Sequence, residues 1–145
     1  MLPPLGILML DTAFARPVGD AGNPDSWPFP VLIERVVGAY ARPVVQGSFA
    51  ASTAFGDAGQ RLVGRGVNAI ITTCGFLVRH QAALQASLPV PVLTSTLTQY
   101  RRLQRAMRPG RRLAILTIDA SALDASIRAA TGIDIDINPA VLAGC

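Results

Sequence analysis

Residues 67–76 read VNAIITTCGF, and this stretch decides the fold. From Val67 to Thr72, valine, isoleucine and threonine crowd a short run that opens just after Gly66, the pattern of a buried strand. Cys74 and Gly75 follow at once. From Phe76 to Leu88, Leu77, Leu84 and Leu88 share one stripe of a predicted helix, and Pro89 and Pro91 bracket its end.

Upstream, Leu5 to Leu10 reads as a short buried strand, followed from Asp11 to Pro30 by a loop dense in Gly, Pro, Asp and Asn. A loop of that length inside a compact domain is usually functional. Val31 to Val37 is a second apolar, β-branched run. Glu34 and Arg35 within it leave a helix open, and strand is the favoured reading. Ala51, Ala54, Phe55, Ala58 and Leu62 recur at helical spacing, with Gly64 and Gly66 as the stop.

Downstream, Val90 to Leu93 is a brief strand. Thr94, Ser95 and Thr96 offer cap oxygens to a helix with Leu97, Tyr100, Leu103 and Met107 on its apolar stripe and Arg101, Arg105 and Arg108 opposite. Pro109 and Gly110 end it. Leu113 to Ile118 predicts a further strand. Asp119 or Ser121 then caps a helix carrying Leu123 and Ile127, Gly132 stops it, and Ile133 to Ile137 is a final short run.

Strands alternating with helices at this spacing require right-handed crossovers. The expected fold is therefore a three-layer α/β domain over residues 1–145, with a mainly parallel sheet and helices on both faces. A chain of 145 residues buries roughly two-thirds of its unfolded surface, enough for its own core. Half of the residues are hydrophobic and 15% are charged, which points to a sheet covered on both faces or to a surface made for a partner.

Composition excludes several classes. The apolar runs fall far short of the roughly 20 residues of a spanning helix, so no membrane partner is expected. Met1 to Leu10 has no basic residue ahead of its apolar part, unlike a secretory signal. Two cysteines and one histidine are too few for a zinc cluster or a disulfide framework, and a cytoplasmic setting is the expectation. All 13 basic residues are arginines, six of them between Arg101 and Arg112. Without interleaved aromatic residues, that cluster reads as a solvated helix face rather than a nucleic-acid surface.

In open parallel sheets, ligands sit beyond the carboxyl ends of the strands. Asp11 with Thr12, the run Thr72 to Phe76, and Thr94 to Thr96 all land there. Cys74, between strand and helix, meets unpaired N–H groups and a helix dipole that lower a thiol pKa. Alternatively, it packs as a small hydrophobe. Asp11 could orient a ligand ammonium or cap its loop. Thr94 and Ser95 could bind a carboxylate, cap the next helix, or do both. His80 lies near the apolar face of its helix and reads as a core or bridging residue rather than a catalytic one.

The segment DTAFARPVGDAGNPDSWPFPV at 11–31, ITTCGF at 71–76 and PVLTSTL at 91–97 resemble the aspartate/glutamate/hydantoin racemase superfamily, in order through nearly the whole chain. What the resemblance implies is an enzyme of two similar α/β lobes, free of metal and other cofactors. One cysteine from each lobe would face the α-carbon of a small acid. One thiolate removes the α-proton while the other thiol returns a proton to the opposite face. Cys74 matches the first of these cysteines, Asp11 and Thr12 the polar pair ending the first strand, and Thr94 and Ser95 the contacts to the substrate carboxylate. Thr73, Gly75 and Phe76 would line the same site. Glutamate racemases carry Asn and Thr after the first cysteine, whereas Gly75 and Phe76 stand here, which implies a different or bulkier substrate.

The chain ends where the resemblance places the second lobe, and Cys145 lies in no matching motif. The leading expectation is thus the N-terminal lobe of a racemase-like isomerase, weak or inactive alone. Competing with it are a homodimer lending two Cys74 residues to one cleft, a small-acid binding module without turnover, and a single-cysteine decarboxylase or isomerase of a malonate- or maleate-like acid.

Overall fold

A computed structural model describes residues 2–133. It has the expected three-layer α/β architecture: a four-stranded, wholly parallel sheet with covered faces and helices in the connections. The strands are β1 (Leu5–Met9), β2 (Val31–Arg35), β3 (Ala69–Thr72) and β4 (Val92–Leu93), in the order β2-β1-β3-β4. Leu5 pairs with Val31 and with Ala69, and Ile70 pairs with Val92. Because all strands are parallel, their carboxyl ends share one edge of the sheet.

The described residues form five helices: α1 (Ala41–Val45) and α2 (Ala51–Gly64) between β2 and β3, α3 (Gln81–Ser87) between β3 and β4, and α4 (Tyr100–Ala106) and α5 (Ala125–Thr131) after β4. Three 3₁₀ turns, Pro24–Ser26, Gly75–His80 and Thr96–Gln99, lie in the loops or lead into α3 and α4. The spacing that predicts α2 also builds the core, since Phe55, Ala58 and Leu62 are fully buried. Leu62 reaches the sheet at Gly6, where an added Cβ would stand 3.1 Å from its side chain. Neighbouring residues on a strand face opposite ways, so Ile7, also fully buried, shows that the other face is covered too. Each such aliphatic or aromatic side chain contributes roughly 1.5–3 kcal/mol through burial.

Gly59, in the middle of α2, has a packing reason. A Cβ there would come within 2.6 Å of Leu88, so the absent side chain lets α2 and the end of α3 approach closely.

Two expectations need correcting. Leu113 to Ile118 forms no strand, and the glutamines of α3 explain why. The inner edge of β4 is taken by β3, with Ile70 N–H donating to Pro91 C=O. On the outer edge, Gln85 accepts from Val92 N–H and donates to Val90 C=O, while Gln81 donates to Val92 C=O and accepts from Thr94 N–H. Two side-chain amides one helical turn apart thus occupy the edge that a fifth strand would need. Residues 113–116 lie beside α4 instead.

The second correction concerns α5. Its N-cap is Asp124, whose carboxylate accepts from the Ser126 and Ile127 N–H groups, whereas Asp119 caps only the preceding turn through Ser121 and Ala122. Gly132 does end α5, in the left-handed conformation (φ 72°) that glycine adopts without strain. The expected run beyond Ile133, and Cys145 with it, lies outside the described residues.

Candidate functional site

The carboxyl edge of the sheet gathers the expected residues unevenly. Strand register puts Thr72 level with Leu8 on β1, and the β3–β4 pairing extends to place it level with Thr94. Thr72 Oγ1 donates to Thr94 C=O at 2.6 Å, clasping the ends of β3 and β4. One turn further, Ser95 Oγ lies against Gly75, 3.4 Å from where a Cβ there would sit. Ser95 is buried, and its Oγ accepts from Leu97 N–H. The strand-to-helix junction therefore puts Cys74, Gly75 and Ser95 side by side.

Cys74 itself corrects an expectation. The extended chain of β3 continues through it before the 3₁₀ turn starts at Gly75, and this swings the sulfur inward among the core side chains, with 8% of the residue exposed. Burial pushes the thiol pKa up. The N–H groups of Phe76 and Leu77 and the positive charge of Arg79 pull it back only in part, and the sulfur accepts no cap hydrogen bond. At neutral pH the group is a protonated thiol, not a ready thiolate. Phe76 follows it inward and belongs to the core, so it is not a substrate contact in this arrangement.

Thr94 is likewise turned inside. It is fully buried, its N–H and hydroxyl both bond Gln81 Oε1, and its C=O accepts from Thr72, so its polar groups are engaged within the protein. Thr73 donates its N–H to Leu8 C=O, while its hydroxyl is buried without a partner.

The residues ending β1 serve the loop. Asp11 accepts from Gly38 N–H at 2.8 Å and lies 3.5 Å from Arg35 Nε. Thr12 accepts from Arg16, which also binds Asp20 at 2.8 Å and stacks on Phe14. Asn23 donates to the Arg16 carbonyl, and Trp27 Nε1 donates to Ala21. The long GD-GNP loop is thus stitched internally. Burial raises the Asp20 pKa, but the Arg16 and Gly22 hydrogen bonds outweigh it and hold the carboxyl below its usual range.

His80 is a bridge, as its placement suggested. Nδ1 meets Ser52 Oγ at 2.9 Å, joining the 3₁₀ turn to α2, and burial followed by the charge of Arg79 lowers its pKa, so the ring is neutral at pH 7. Sequence reasoning missed Gln81 and Arg79. Gln81 and Gln85, four apart on a helix facing a proline-flanked strand, were the available signal. Arg79 is a mostly buried cation that bonds the carbonyls of Val45 and Ala122 and sits 3.4 Å from Asp124.

Among the described residues, no group of three or more His, Cys, Asp or Glu side chains is arranged to hold a metal ion. No helix there is long and apolar enough to cross a membrane. The Arg101 to Arg112 arginines are all exposed.

Comparison with known proteins gives one relative. The chain is 28% identical over 152 residues to a dimethylsulfoniopropionate lyase from Durusdinium sp. clade D, covering 97% of this chain and 49% of that protein. The chain therefore spans about half the length of the curated relative it matches. Neither a family model nor a solved structure matches it.

Proposed function

We propose that this chain is a small-carboxylate-binding lobe of a cofactor-independent enzyme that moves a proton at the carbon next to the carboxylate, with Cys74 carrying that proton. The observation that carries the reading is the junction of β3 with its 3₁₀ turn. There Cys74 precedes Gly75, against which Ser95 Oγ lies, at the carboxyl edge of a parallel sheet. Its raised pKa fits the proton-donating member of a two-thiol pair, which must be protonated at rest. Ser95 and its neighbouring backbone supply the carboxylate contact. The resemblance to the racemase superfamily supports inversion at the α-carbon, with the opposing base on a second lobe or a second copy of this chain.

The lyase relative favours a second reading, β-elimination. In that reaction a base takes the proton next to the carboxylate, the electron pair forms a carbon–carbon double bond, and the substituent on the β-carbon leaves with its bonding pair. Both reactions begin with the same C–H bond, so one experiment addresses them together. The full chain is incubated in D₂O with aspartate, glutamate or dimethylsulfoniopropionate and followed by NMR. Slow loss of the signal of the proton beside the carboxylate, taken by the small thiolate fraction of Cys74 after its own proton passes to solvent and abolished in Cys74→Ser, is the expected result, and release of acrylate identifies elimination. No exchange with any substrate, or the same rate in Cys74→Ser, contradicts the proposal. Dicarboxylate binding that persists without any turnover would leave a binding module.

A further inference from the structure

Residues 113–118, LAILTI, alternate in exposure. Leu113, Ile115 and Thr117 are half-buried, while Ala114, Leu116 and Ile118 face outward, the last two at 78% and 84% exposure. A run that is apolar on both of its sides is the composition of a segment with cover on both. Between it and the stretch from Thr96 to Leu103 lies a cleft of about 330 Å³. Leu97, Tyr100, Leu103, Leu113 and Ile115 supply most of its walls, and among the described residues no charged side chain lines it. The chain itself arrives at this cleft. α5 packs against the Thr96–Gln99 turn, which forms one wall. Gly132, which ends α5, lies so close to Arg101 of α4 that a Cβ there would collide with the guanidinium. Ile133 is buried, and Asp134, Ile135, Asp136 and Ile137 follow it.

That strict alternation, in an extended chain, puts isoleucines on one side and aspartates on the other. At about 3.3 Å per residue the four residues reach roughly 13 Å, and the seven residues of α4 span about 10 Å, so the segment is long enough to follow the helix. From the exit point at Arg101 and this charge pattern, we infer that residues 134–137 occupy the cleft. Ile135 and Ile137 pack against Leu103, Leu113 and Ile115, and Asp134 and Asp136 face the exposed Arg101, Arg102 and Arg105. A second copy of the chain fits this face less well, because a two-fold contact there would set one row of arginines against another. A separate apolar ligand would compete with a segment tethered at the rim of the cleft, and so held at high effective concentration.

The test is a nitroxide attached at Asn138→Cys in the full chain, with Cys74→Ser and Cys145→Ala removing the other thiols, read by NMR. The label should cut the amide intensities of Leu103 and Ile115 at least fivefold and leave Ile33, on the opposite edge strand of the sheet, unchanged. Ile135→Asp with Ile137→Asp should restore the two lost intensities at least twofold, and Asp134→Asn with Asp136→Asn should restore them by a smaller factor. Absent broadening, broadening equal at Ile33, or intensities that neither pair of substitutions restores overturn the inference. Broadening in an isotope-labelled chain without nitroxide, mixed with a nitroxide-bearing one, would put a second copy in the cleft and overturn it as well.

Discussion

The two halves of the sheet's carboxyl edge use their polar side chains differently. After β1 and β2, Asp11, Thr12, Arg16 and Asn23 bond one another or the local backbone, and the outcome is an ordered loop. After β3 and β4, the glutamines of α3 satisfy the strand edge from behind, and Ser95 and Cys74 are buried. Similar residues at similar places thus bond one another in one half and are packed inward beside the strand ends in the other. What separates them is whether another element already satisfies the backbone around them.

The largest effect should come from removing that support. Gln81→Ala with Gln85→Ala strips partners from Val92 and from the buried Thr94, and about 1–3 kcal/mol is lost for each buried group left unpaired. Denaturant unfolding should show several kcal/mol of destabilisation, and hydrogen exchange should accelerate first at Val92 and Thr94. Equal acceleration in the β1–β2 loops would erase the contrast between the halves. Asp11→Ala, by comparison, removes one acceptor and a half-exposed ion pair, so a loss of about 1 kcal/mol is expected, with exchange raised at Gly38.

Smaller still is the dependence of stability on pH. His80 has a lowered folded pKa, so the unfolded chain binds its proton first, and stability falls as pH drops below about 6.5. Asp124 is held below the usual carboxylate range by the Ser126 hydroxyl foremost, then by Ile127 N–H and Arg79, against the opposing effect of burial. Its contribution is present above about pH 4 and lost as pH falls through its folded value. Cys74 is raised, so its contribution is complete below about pH 8.5 and is lost as pH climbs through the folded pKa. Thermal melts across pH should show a plateau between about 6.5 and 8.5, with the alkaline decline removed in Cys74→Ala.

Much of this was legible in the sequence, for definite reasons. β3 announces itself because β-branched residues and the flanking glycine agree, and α2 because its apolar spacing matches the face it buries. Leu113 to Ile118 misleads because strand propensity says nothing about whether an edge is free, and that edge is taken by side chains 28 or more residues earlier in the chain. Cys74 could be placed between strand and helix from spacing, but not oriented. Its sulfur points inward because the strand conformation persists one residue beyond Thr73, a dihedral detail no composition records.

The central claim is that a carboxylate reaches the sulfur of Cys74. In a Cys145→Ala background, where one thiol remains, the rate of alkylation by iodoacetamide should be low at pH 7.5, rise only at alkaline pH, and fall at least tenfold when dimethylsulfoniopropionate saturates the protein. Fast alkylation at neutral pH, or a rate that dimethylsulfoniopropionate leaves untouched, would contradict it.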